Sequence, residues 1–286
     1  MNQGRQTNGP EDVEIELLLA GIFRYYGYDF RDYTQQMIKA RIRERMLAER
    51  VSTISRFQDK ILHEPRCLQR FLRSLSSTGA GLFGDADYYR AFRSKLVPML
   101  KTYPFVRIWH VACSTGEETY GLAIMLTEEG IYSRCRIYAT DMSDDALTEA
   151  RKGVMVAAPG TDYSQNYVRA GGRRSLADYC KFKDKRILFD SPLKRNIVFS
   201  QHNVMTDGSF NEFQVIVCRN AISHFALALQ ARVHSLFFDS LSRFGVLVLG
   251  PSDSLQALPQ EKLYNEMNTA MGFYQKVNHL CVSNGN

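Results

Sequence analysis

Residues 106–118, VRIWHVACSTGEE, decide the fold. They open with a short, mainly apolar run of strand length. This run is interrupted by Ser114, Thr115 and Gly116, and helical spacing begins at Glu117. Small residues at a strand-to-helix turn let the backbone approach a ligand, and the first helical turn presents free N–H groups. The stretch therefore predicts the first strand of an α/β sheet, with a ligand site at the end of that strand.

Strands and helices alternate after this stretch. Further strands are expected at residues 136–140, 214–218 and 246–250, helices at 143–152 and 225–241, and a closing hairpin at 273–282. This order predicts a Rossmann-like parallel sheet with helices on both faces.

Residues 154–198 break the alternation. They contain the turn signal Gly171-Gly172 and short strand-compatible pieces near 179–182, 186–189 and 196–200. We expect a small β-subdomain, at about residues 160–200, inserted into the larger domain. The alternative is a long decorated loop.

The N-terminal part of the chain has a different pattern. Helical spacing runs through residues 13–75, and the small residues at 76–81 have no periodicity. Since 286 residues suffice for two domains, we expect a helical domain at 11–77, a linker at 78–90 and the α/β domain at 91–286.

A basic helix within residues 32–50 is the clearest local concentration of charge. Its cationic side chains surround a narrow apolar face and include Lys39, Arg43, Arg45 and Arg50. The whole chain has 36 Lys and Arg against 30 Asp and Glu, a formal net charge of +6. The basic face is either simply solvated or a docking surface for an acidic helical partner.

Composition excludes several classes of protein. With 45% hydrophobic and 23% charged residues, the chain is neither a disordered tail nor a disulfide-stapled miniprotein. No apolar run reaches the roughly 18 residues of a membrane span, and a cytoplasmic location is expected. The six cysteines and six histidines are dispersed, so we expect reduced cysteines and no bound metal.

Asp141, directly after the second expected strand, is a second sign of a ligand site. An acidic side chain there can accept both ribose hydroxyls of an adenosine. A nicotinamide dinucleotide would need G-x-G-x-x-G, and a nucleoside triphosphate would need a lysine after the glycine, whereas Glu117 and Glu118 follow Gly116. Acidic groups suit the cationic amino and sulfonium groups of S-adenosylmethionine, so the residues favour a methyltransferase sheet.

Several motifs, in this order, resemble the CheR family of chemoreceptor glutamate O-methyltransferases. They are ACSTGEE at 112–118, ATDMS at 139–143, HNV at 202–204, VIVCRNAISHF at 215–225 and GPSDSL at 250–255. The resemblance covers nearly the whole chain, including the helical domain and the insertion. It implies S-adenosylmethionine-dependent methyl esterification of glutamates on a methyl-accepting chemotaxis-type receptor, for sensory adaptation.

The resemblance also implies the partner. It is the cytoplasmic helical bundle of the receptor, docked by Lys39, Arg43, Arg45 and Arg50, so that contact with a membrane is only through the receptor. No nucleic-acid partner is expected, because Arg-Asn-Ala-Ile follows the strand ending at Cys218 where base-methylating enzymes have an Asn/Asp-Pro-Pro-aromatic turn. A monomer is favoured.

Roles for individual residues follow from the same resemblance. Glu118 and Asp141 match the residues that bind the amino-acid and ribose portions of the cofactor, and Asn203 and Val204 match the pair around the adenine. Arg219 and Asn220 match the pair lining the cofactor pocket. Arg219 also counts as a catalytic candidate, as does His224; the alternative for Arg219 is a structural ion pair.

The sequence departs from the family pattern in the linker. Where the family has N-x-T-x-F-F-R-D, this chain has Thr78, Ala80 and Gly84 at the Asn, Thr and Arg positions. These three are the remaining candidate cofactor-binding residues. A family tyrosine is replaced by His224, which we expect to substitute as a hydrogen-bond donor, and Arg90 or Arg93 are candidates to replace the missing cation.

Three interpretations therefore compete. The chain is an active glutamate methyltransferase of a flagellar or pilus-type sensory system, a cofactor- or receptor-binding regulatory pseudoenzyme, or a methyltransferase for another target. A glutamate carboxylate, with a pKa near 4.3, is ionised at neutral pH and needs no general base. Catalysis would then rest on orientation and electrostatic preorganisation.

Overall fold

A computed structural model of the chain describes residues 9–75, 81–256 and 258–277. The described residues form two units. The helical unit contains residues 9–75 and 224–229, and the α/β unit contains residues 81–223 and the described part of 230–277.

Four helices build most of the helical unit: α1 (Pro10–Tyr26), α2 (Gln35–Glu49), α3 (Ile54–His63) and α4 (Pro65–Leu75). Pro10 starts α1, where its missing N–H costs nothing, and Gly27 ends it with a left-handed φ of 81°. The Thr53 side chain accepts a hydrogen bond from the Arg56 N–H and caps α3. The helices bury one apolar face each, and the resulting core includes Leu18, Ile22, Ile42, Phe57, Ile61, Phe71 and Leu72.

The segment 224–229 completes the helical unit. Phe225 forms an isolated antiparallel bridge with Tyr33, and the centres of their rings lie 4.8 Å apart. The Thr34 N–H donates to the His224 carbonyl at 2.7 Å. The backbone around His224 is therefore fixed by the loop before α2.

The α/β unit contains ten strands and seven α-helices among its described residues. The strands are β1 (Val106–Val111), β2 (Cys135–Asp141), β3 (Val154–Val156), β4 (Cys180–Lys183), β5 (Arg186–Phe189), β6 (Ile197–Gln201), β7 (Phe213–Cys218), β8 (Leu241–Leu249), β9 (Tyr264–Asn268) and β10 (Phe273–Lys276). The α-helices are α5 (Ala86–Ala91), α6 (Val97–Leu100), α7 (Glu117–Glu128), α8 (Asp144–Lys152), α9 (Tyr163–Arg169), α10 (Ser191–Lys194) and α11 (Leu227–Ser240), the last of which begins in the helical unit. A π-helix, Phe92–Leu96, joins α5 to α6.

Seven strands form the main sheet, in the order β6-β2-β1-β7-β8-β10-β9. The first five are parallel, and β10 and β9 add antiparallel edge strands. Every residue of β7 is buried, as expected for a parallel strand covered on both faces. The α/β sheet with its helices, the Rossmann-like class predicted from the sequence, is thereby confirmed.

The strand ends define where a site is expected. Val111 is paired with Thr140 on one side and with Cys218 on the other, so β1, β2 and β7 end at the same edge of the sheet. The chain moves from β1 to β2 on one side and later returns to β7 on the other. Such a switch point is where open α/β sheets bind ligands.

The insertion differs in part from the sequence expectation. A three-stranded antiparallel sheet, in the order β3-β5-β4, does form, together with α9, which the sequence analysis did not anticipate. However, the third expected piece, residues 196–200, is not part of that sheet. It forms β6, parallel to β2 at the edge of the main sheet, with Ile137 opposite Ile197.

The expected linker at residues 78–90 also differs. Residues 76–80 lie outside the described part of the chain, but residues from Leu82 onward belong to the α/β unit. Leu82, Phe83, Tyr88 and Tyr89 are at most 1% exposed and join its hydrophobic core, and α5 starts at Ala86. Apolar side chains that pack this closely are a layer of the domain and not a tether.

Candidate functional site

The turn after β1 has a strained backbone. Ala112, Ser114 and Gly116 all have left-handed φ values, of 52°, 49° and 88°. Two of these are not glycine, and such conformations cost of order 1–3 kcal/mol each and concentrate at functional sites. A Cβ on Gly116 would lie 3.2 Å from the Ala150 Cβ and 3.3 Å from the Phe199 ring, so glycine suits this turn on steric grounds too.

Asp141 fixes the two turns at the ends of β1 and β2. Its Oδ2 accepts a hydrogen bond from the Ser114 N–H, and its Oδ1 accepts one from the Ser143 N–H, both at 2.9 Å. The residue is only 2% exposed. In this structure Asp141 organises the backbone of the site, and its contact with a ribose, expected from the sequence, stays a prediction.

An ion cluster joins three segments at the carboxyl edge of the sheet. Arg219, directly after β7, donates from Nη1 to Glu118 Oε1 at 3.2 Å and from Nη2 to Asp85 Oδ2. Glu118 is in the first turn of α7, and Asp85 is the N-cap of α5. The Arg219 and Glu118 side chains are 4% and 9% exposed, and that of Asp85 is 30% exposed. The structure thus brings together two predicted site residues and a third that the sequence analysis did not select.

Burial and charge act in opposite directions on Arg219. Burial disfavours its charged form, but the carboxylates of Glu118 and Asp85, with Tyr88 nearby, raise the pKa of Arg219 above its ordinary value. The guanidinium therefore remains charged at any physiological pH, and it faces two acidic groups.

Asp253, like Asp141, is a carboxylate that holds a backbone turn, in this case the loop that carries Arg219 and Asn220. It accepts hydrogen bonds from the backbone N–H groups of Asn220 (2.5 Å), Ser223 (2.9 Å), Ile222 (3.2 Å) and Gly250 (3.2 Å). Asn220 has a left-handed φ of 56°. Burial raises the pKa of Asp253, although the backbone donors oppose that shift. Asp253 lies within the motif GPSDSL at 250–255, but no local sequence pattern indicates this role.

Gly250 explains why this loop can come so close to the end of β8. A Cβ at Gly250 would lie 2.5 Å from both the Asn220 nitrogen and the Asn220 Oδ1. The glycine is therefore required by the close approach of the two segments, since backbone atoms cannot move aside as a flexible side chain would.

His110 on β1 is a further buried polar group that the sequence analysis passed over. Its Nδ1 lies 2.6 Å from Thr119 Oγ1 on α7. Burial lowers the pKa of His110, while Glu118 acts in the opposite direction. The imidazole is thus neutral at neutral pH, and it braces α7 next to Glu118 without adding charge to the ion cluster.

The expected adenine pair lies beyond the end of β6. Asn203 Oδ1 accepts from the Met205 N–H at 3.1 Å, and the Asn203 N–H donates to Asp207 at 2.8 Å. Val204 beside it is partly buried. The side chain of Asn203 thus shapes its own turn, and the role of both residues in adenine binding stays a prediction.

The departures in the linker are only partly visible. Thr78 and Ala80 lie outside the described residues, and Gly84 is exposed. Both candidates for a replacement cation are engaged elsewhere. Arg90 donates to Asp87 and to the Arg169 carbonyl, and Arg93 is buried between Glu128 and Glu129. The expectation that either arginine replaces the missing one is therefore wrong for this structure.

His224, the expected substitute for a family tyrosine, is exposed and belongs to the helical unit. Its backbone carbonyl accepts from Thr34, as described above. A catalytic role for its side chain stays a prediction.

The four expected docking residues have different surroundings. Arg43 pairs with Glu11 at the surface, Lys39 pairs with Asp12, and Arg50 is exposed at the end of α2. Arg45 is different, because it pairs with Glu49, whose side chain is 6% exposed.

Glu49 is the centre of a second ion cluster. It accepts from Arg70 and Lys60 as well as from Arg45. Hydrogen bonds from Arg70 first, and also from Lys60 and Arg45, lower the pKa of Glu49 to about 2 despite its burial. Glu49 therefore joins α2 to Lys60 on α3 and Arg70 on α4, and Arg45 is its partner within α2. Because Arg45 is engaged in this cluster, the expectation that it belongs to the docking surface is corrected.

The remaining expectations from the sequence concern the cysteines, metal ligands and membrane spans. Cys67, Cys113, Cys135, Cys180 and Cys218 are buried free thiols, and Cys281 lies outside the described part. Within residues 9–75, 81–256 and 258–277, no group of three or more His, Cys, Asp or Glu side chains is arranged to hold a metal ion. No helix in these ranges is long and apolar enough to cross a membrane.

Comparison with known proteins gives matches over almost the whole chain. A family model described as the CheR methyltransferase SAM binding domain matches residues 79–271, and one described as the CheR methyltransferase all-alpha domain matches residues 13–76. Cher3 of Pseudomonas putida, which has a provisional methyltransferase name, is 39% identical over 85% of this chain and 89% of its own length. Two proteins named as chemotaxis protein methyltransferases are similar at lower identity. That of Listeria monocytogenes is 26% identical over 81% of this chain and 86% of its own length. Chemotaxis protein methyltransferase 1 of Vibrio cholerae is 27% identical over 79% of this chain and 84% of its own length.

Proposed function

The chain belongs to the CheR methyltransferase family, and on this premise we propose that it methylates glutamate side chains of a chemotaxis-type receptor, forming glutamyl methyl esters. Membership confirms the resemblance drawn from the motifs, and it makes the α/β unit an S-adenosylmethionine-binding methyltransferase domain. The proposal goes beyond family membership in two respects, namely the glutamate acceptor and the receptor that carries it.

One observation carries the proposal, namely the cluster of Arg219, Glu118 and Asp85 at the carboxyl edge of the sheet. Two carboxylates and one guanidinium leave a formal charge of −1 in a largely buried place. A buried net charge is costly unless a counter-charge is supplied. The cluster therefore suits a cationic ligand group, and the α-ammonium of S-adenosylmethionine fits that requirement.

The role of the chain's own residues is to position the cofactor and the glutamate acceptor, and none of them reacts covalently. When bound, the cofactor offers a methyl group on a sulfonium, which a glutamate carboxylate oxygen accepts as the carbon–sulfur bond breaks towards sulfur. Asp141 and Asp253 fix the turns around the proposed cofactor site through backbone N–H groups. Since the acceptor is already ionised at neutral pH, we assign no general base.

A regulatory scaffold is the second candidate function. It is favoured by the position of Gly84, which has no side chain to present a cation to an anionic acceptor, and by the commitment of Arg219 to two carboxylates. In this alternative the chain binds the cofactor or the receptor but transfers little methyl.

The experiment that separates the two functions is transfer of labelled methyl from S-adenosylmethionine to receptor cytoplasmic fragments of the same organism, measured as alkali-labile label. We expect transfer by the unaltered chain and its loss in Glu118→Gln. Cofactor binding by calorimetry without transfer to any receptor fragment would refute the enzyme and favour the scaffold. A cytoplasmic location and a receptor bundle docked by Arg43, Lys39 and Arg50 are parts of the same proposal.

A further inference from the structure

Asp85 is an unexpected member of the ion cluster. It is separated from Arg219 by 134 residues of sequence, and it follows the exposed Gly84. Its two carboxylate oxygens have different partners. Oδ1 accepts from the Tyr88 N–H at 3.1 Å and caps α5, and Oδ2 accepts from Arg219 Nη2.

Arg219 is therefore divided between two acids. Its Nη1 faces Glu118 and its Nη2 faces Asp85, so neither carboxylate alone neutralises the guanidinium. If Asp85 were neutral, Arg219 and Glu118 would form a closed ion pair with no net charge. Glu118 would then attract a further cation much less strongly, since opposite charges close together largely cancel at a third site.

A carboxylate offers about four lone-pair positions. The hydrogen bond from Arg219 Nη1 to Glu118 Oε1, at 3.2 Å, uses one of them and is long for a charge-assisted bond. Glu118 therefore retains acceptor capacity for an ammonium group, and the presence of Asp85 maintains the negative charge that attracts it.

We propose that Asp85 is a positioning residue for the cofactor: by sharing Arg219 it keeps Glu118 able to bind the α-ammonium of the cofactor's amino-acid portion. The inference rests on the proposed function, because it assumes that the amino-acid portion lies at Glu118. Asp85 would then have two separate roles, one in cofactor binding and one in capping α5.

Asparagine separates the two tasks. The Asp85→Asn side chain keeps an oxygen that can cap α5, and asparagine is as good an N-cap as aspartate. It loses the charge that draws Arg219 away from Glu118. A change in cofactor binding in this variant, at an unchanged melting temperature, would thus report the charge and not the helix cap.

The test uses calorimetry with two probes on the full chain. S-adenosylhomocysteine carries the ammonium group, whereas 5′-methylthioadenosine has the same adenosine and lacks the amino-acid portion. We expect Asp85→Asn to weaken S-adenosylhomocysteine about tenfold, equivalent to about 1.4 kcal/mol, and to leave 5′-methylthioadenosine within about twofold. Glu118→Gln should show the same selectivity, and the double variant should lose less than the sum of the two.

Three outcomes would overturn the inference. In the first, Asp85→Asn binds S-adenosylhomocysteine as the unaltered chain does. In the second, it loses both probes equally, which indicates a distorted pocket. In the third, the unaltered chain binds neither probe, and the proposed function then falls together with the role of Asp85; in the first two outcomes the proposed function survives.

Discussion

The guanidinium carbon of Arg219 lies 4.0 Å from the centre of the Tyr88 ring. Tyr88 is 1% exposed, and its hydroxyl has no hydrogen-bond partner within the described residues. The ring face, and not the hydroxyl, is therefore what Tyr88 contributes to the ion cluster. A desolvated contact of this kind is worth roughly 2 kcal/mol.

Substitution of Tyr88 tests this contact. We expect Tyr88→Phe to retain cofactor affinity and stability, since it keeps the ring and removes a buried hydroxyl without a partner. Tyr88→Leu should lower the free energy of unfolding by about 2–4 kcal/mol, through lost packing and the lost cation–π contact. Chemical denaturation and calorimetry measure both effects, and equal behaviour of the two variants would refute the role of the ring.

Removing the Asp253 carboxylate should loosen the loop after β7. In Asp253→Asn an amide N–H₂ would face backbone N–H donors that the carboxylate now satisfies. We expect a loss of about 3–5 kcal/mol in the free energy of unfolding, as for a broken buried charge network, together with weaker cofactor binding. Ser252→Ala, an exposed neighbour, is the control. A stable Asp253→Asn variant with unchanged cofactor affinity would contradict the assignment.

His234 on α11 predicts a pH dependence of stability. It is fully buried, both its ring nitrogens lack hydrogen-bond partners in the described structure, and burial lowers its pKa from 6.5 to about 4. Between these two pH values His234 binds a proton in the unfolded chain but not in the folded chain. The free energy of unfolding therefore falls as the pH falls from about 6.5 towards 4. The loss reaches about 3 kcal/mol at the lower end.

A His234→Leu variant isolates this effect. Denaturation at pH 7 and pH 4.5 should show a smaller loss of stability in the variant than in the unaltered chain, by about 2–3 kcal/mol. Carboxylates titrate in both proteins, so the comparison removes their contribution. Equal pH dependence in the two proteins would show that His234 is not the responsible group.

Arg43 and Arg45 differ in burial and should differ in function. Arg43→Glu should weaken receptor association, less so at high salt, with a stability change of at most about 1 kcal/mol because its pair with Glu11 is exposed. Arg45→Glu should lower the free energy of unfolding by about 1.5–3 kcal/mol, since it breaks a charged hydrogen bond to Glu49. Receptor binding unaffected by Arg43→Glu would remove the docking proposal for α2.

Gly84 offers a gain-of-function test. The residue is exposed, so an arginine side chain can extend from it into solvent or towards an acceptor. If a missing cation limits transfer, Gly84→Arg should raise the rate about tenfold or more, and Gly84→Gln, of similar length but uncharged, should not. Equal rates in all three proteins would show that another step is limiting.

The sequence sufficed for features that are local along the chain. The turn at residues 112–116 and Asp141 after β2 are predicted from their places at strand ends, and Arg219 after β7 from the family resemblance. All three lie at one edge of the sheet, where the ends of β1, β2 and β7 meet. The Arg219–Asp85 pair was not found, since 134 residues separate the two and no local pattern reports their contact. The role of Asp253 also depends on tertiary structure. So does that of Arg45, because no local pattern shows that Glu49, its partner, is buried among three cations.

The edge strand β6 shows the same limit. Residues 196–200 have the length and composition of either a subdomain strand or a sheet strand, and only pairing with β2 decides between them. Helix α9 has just seven residues, too few for a helical period to be distinctive.

The most direct test of the account is mass spectrometry of receptor cytoplasmic fragments after incubation with the chain and S-adenosylmethionine. We expect glutamate side chains to gain the mass of one methyl group that alkali removes, and we expect no such gain with Glu118→Gln. Receptor peptides that remain unmodified, although calorimetry shows the cofactor bound, would contradict it.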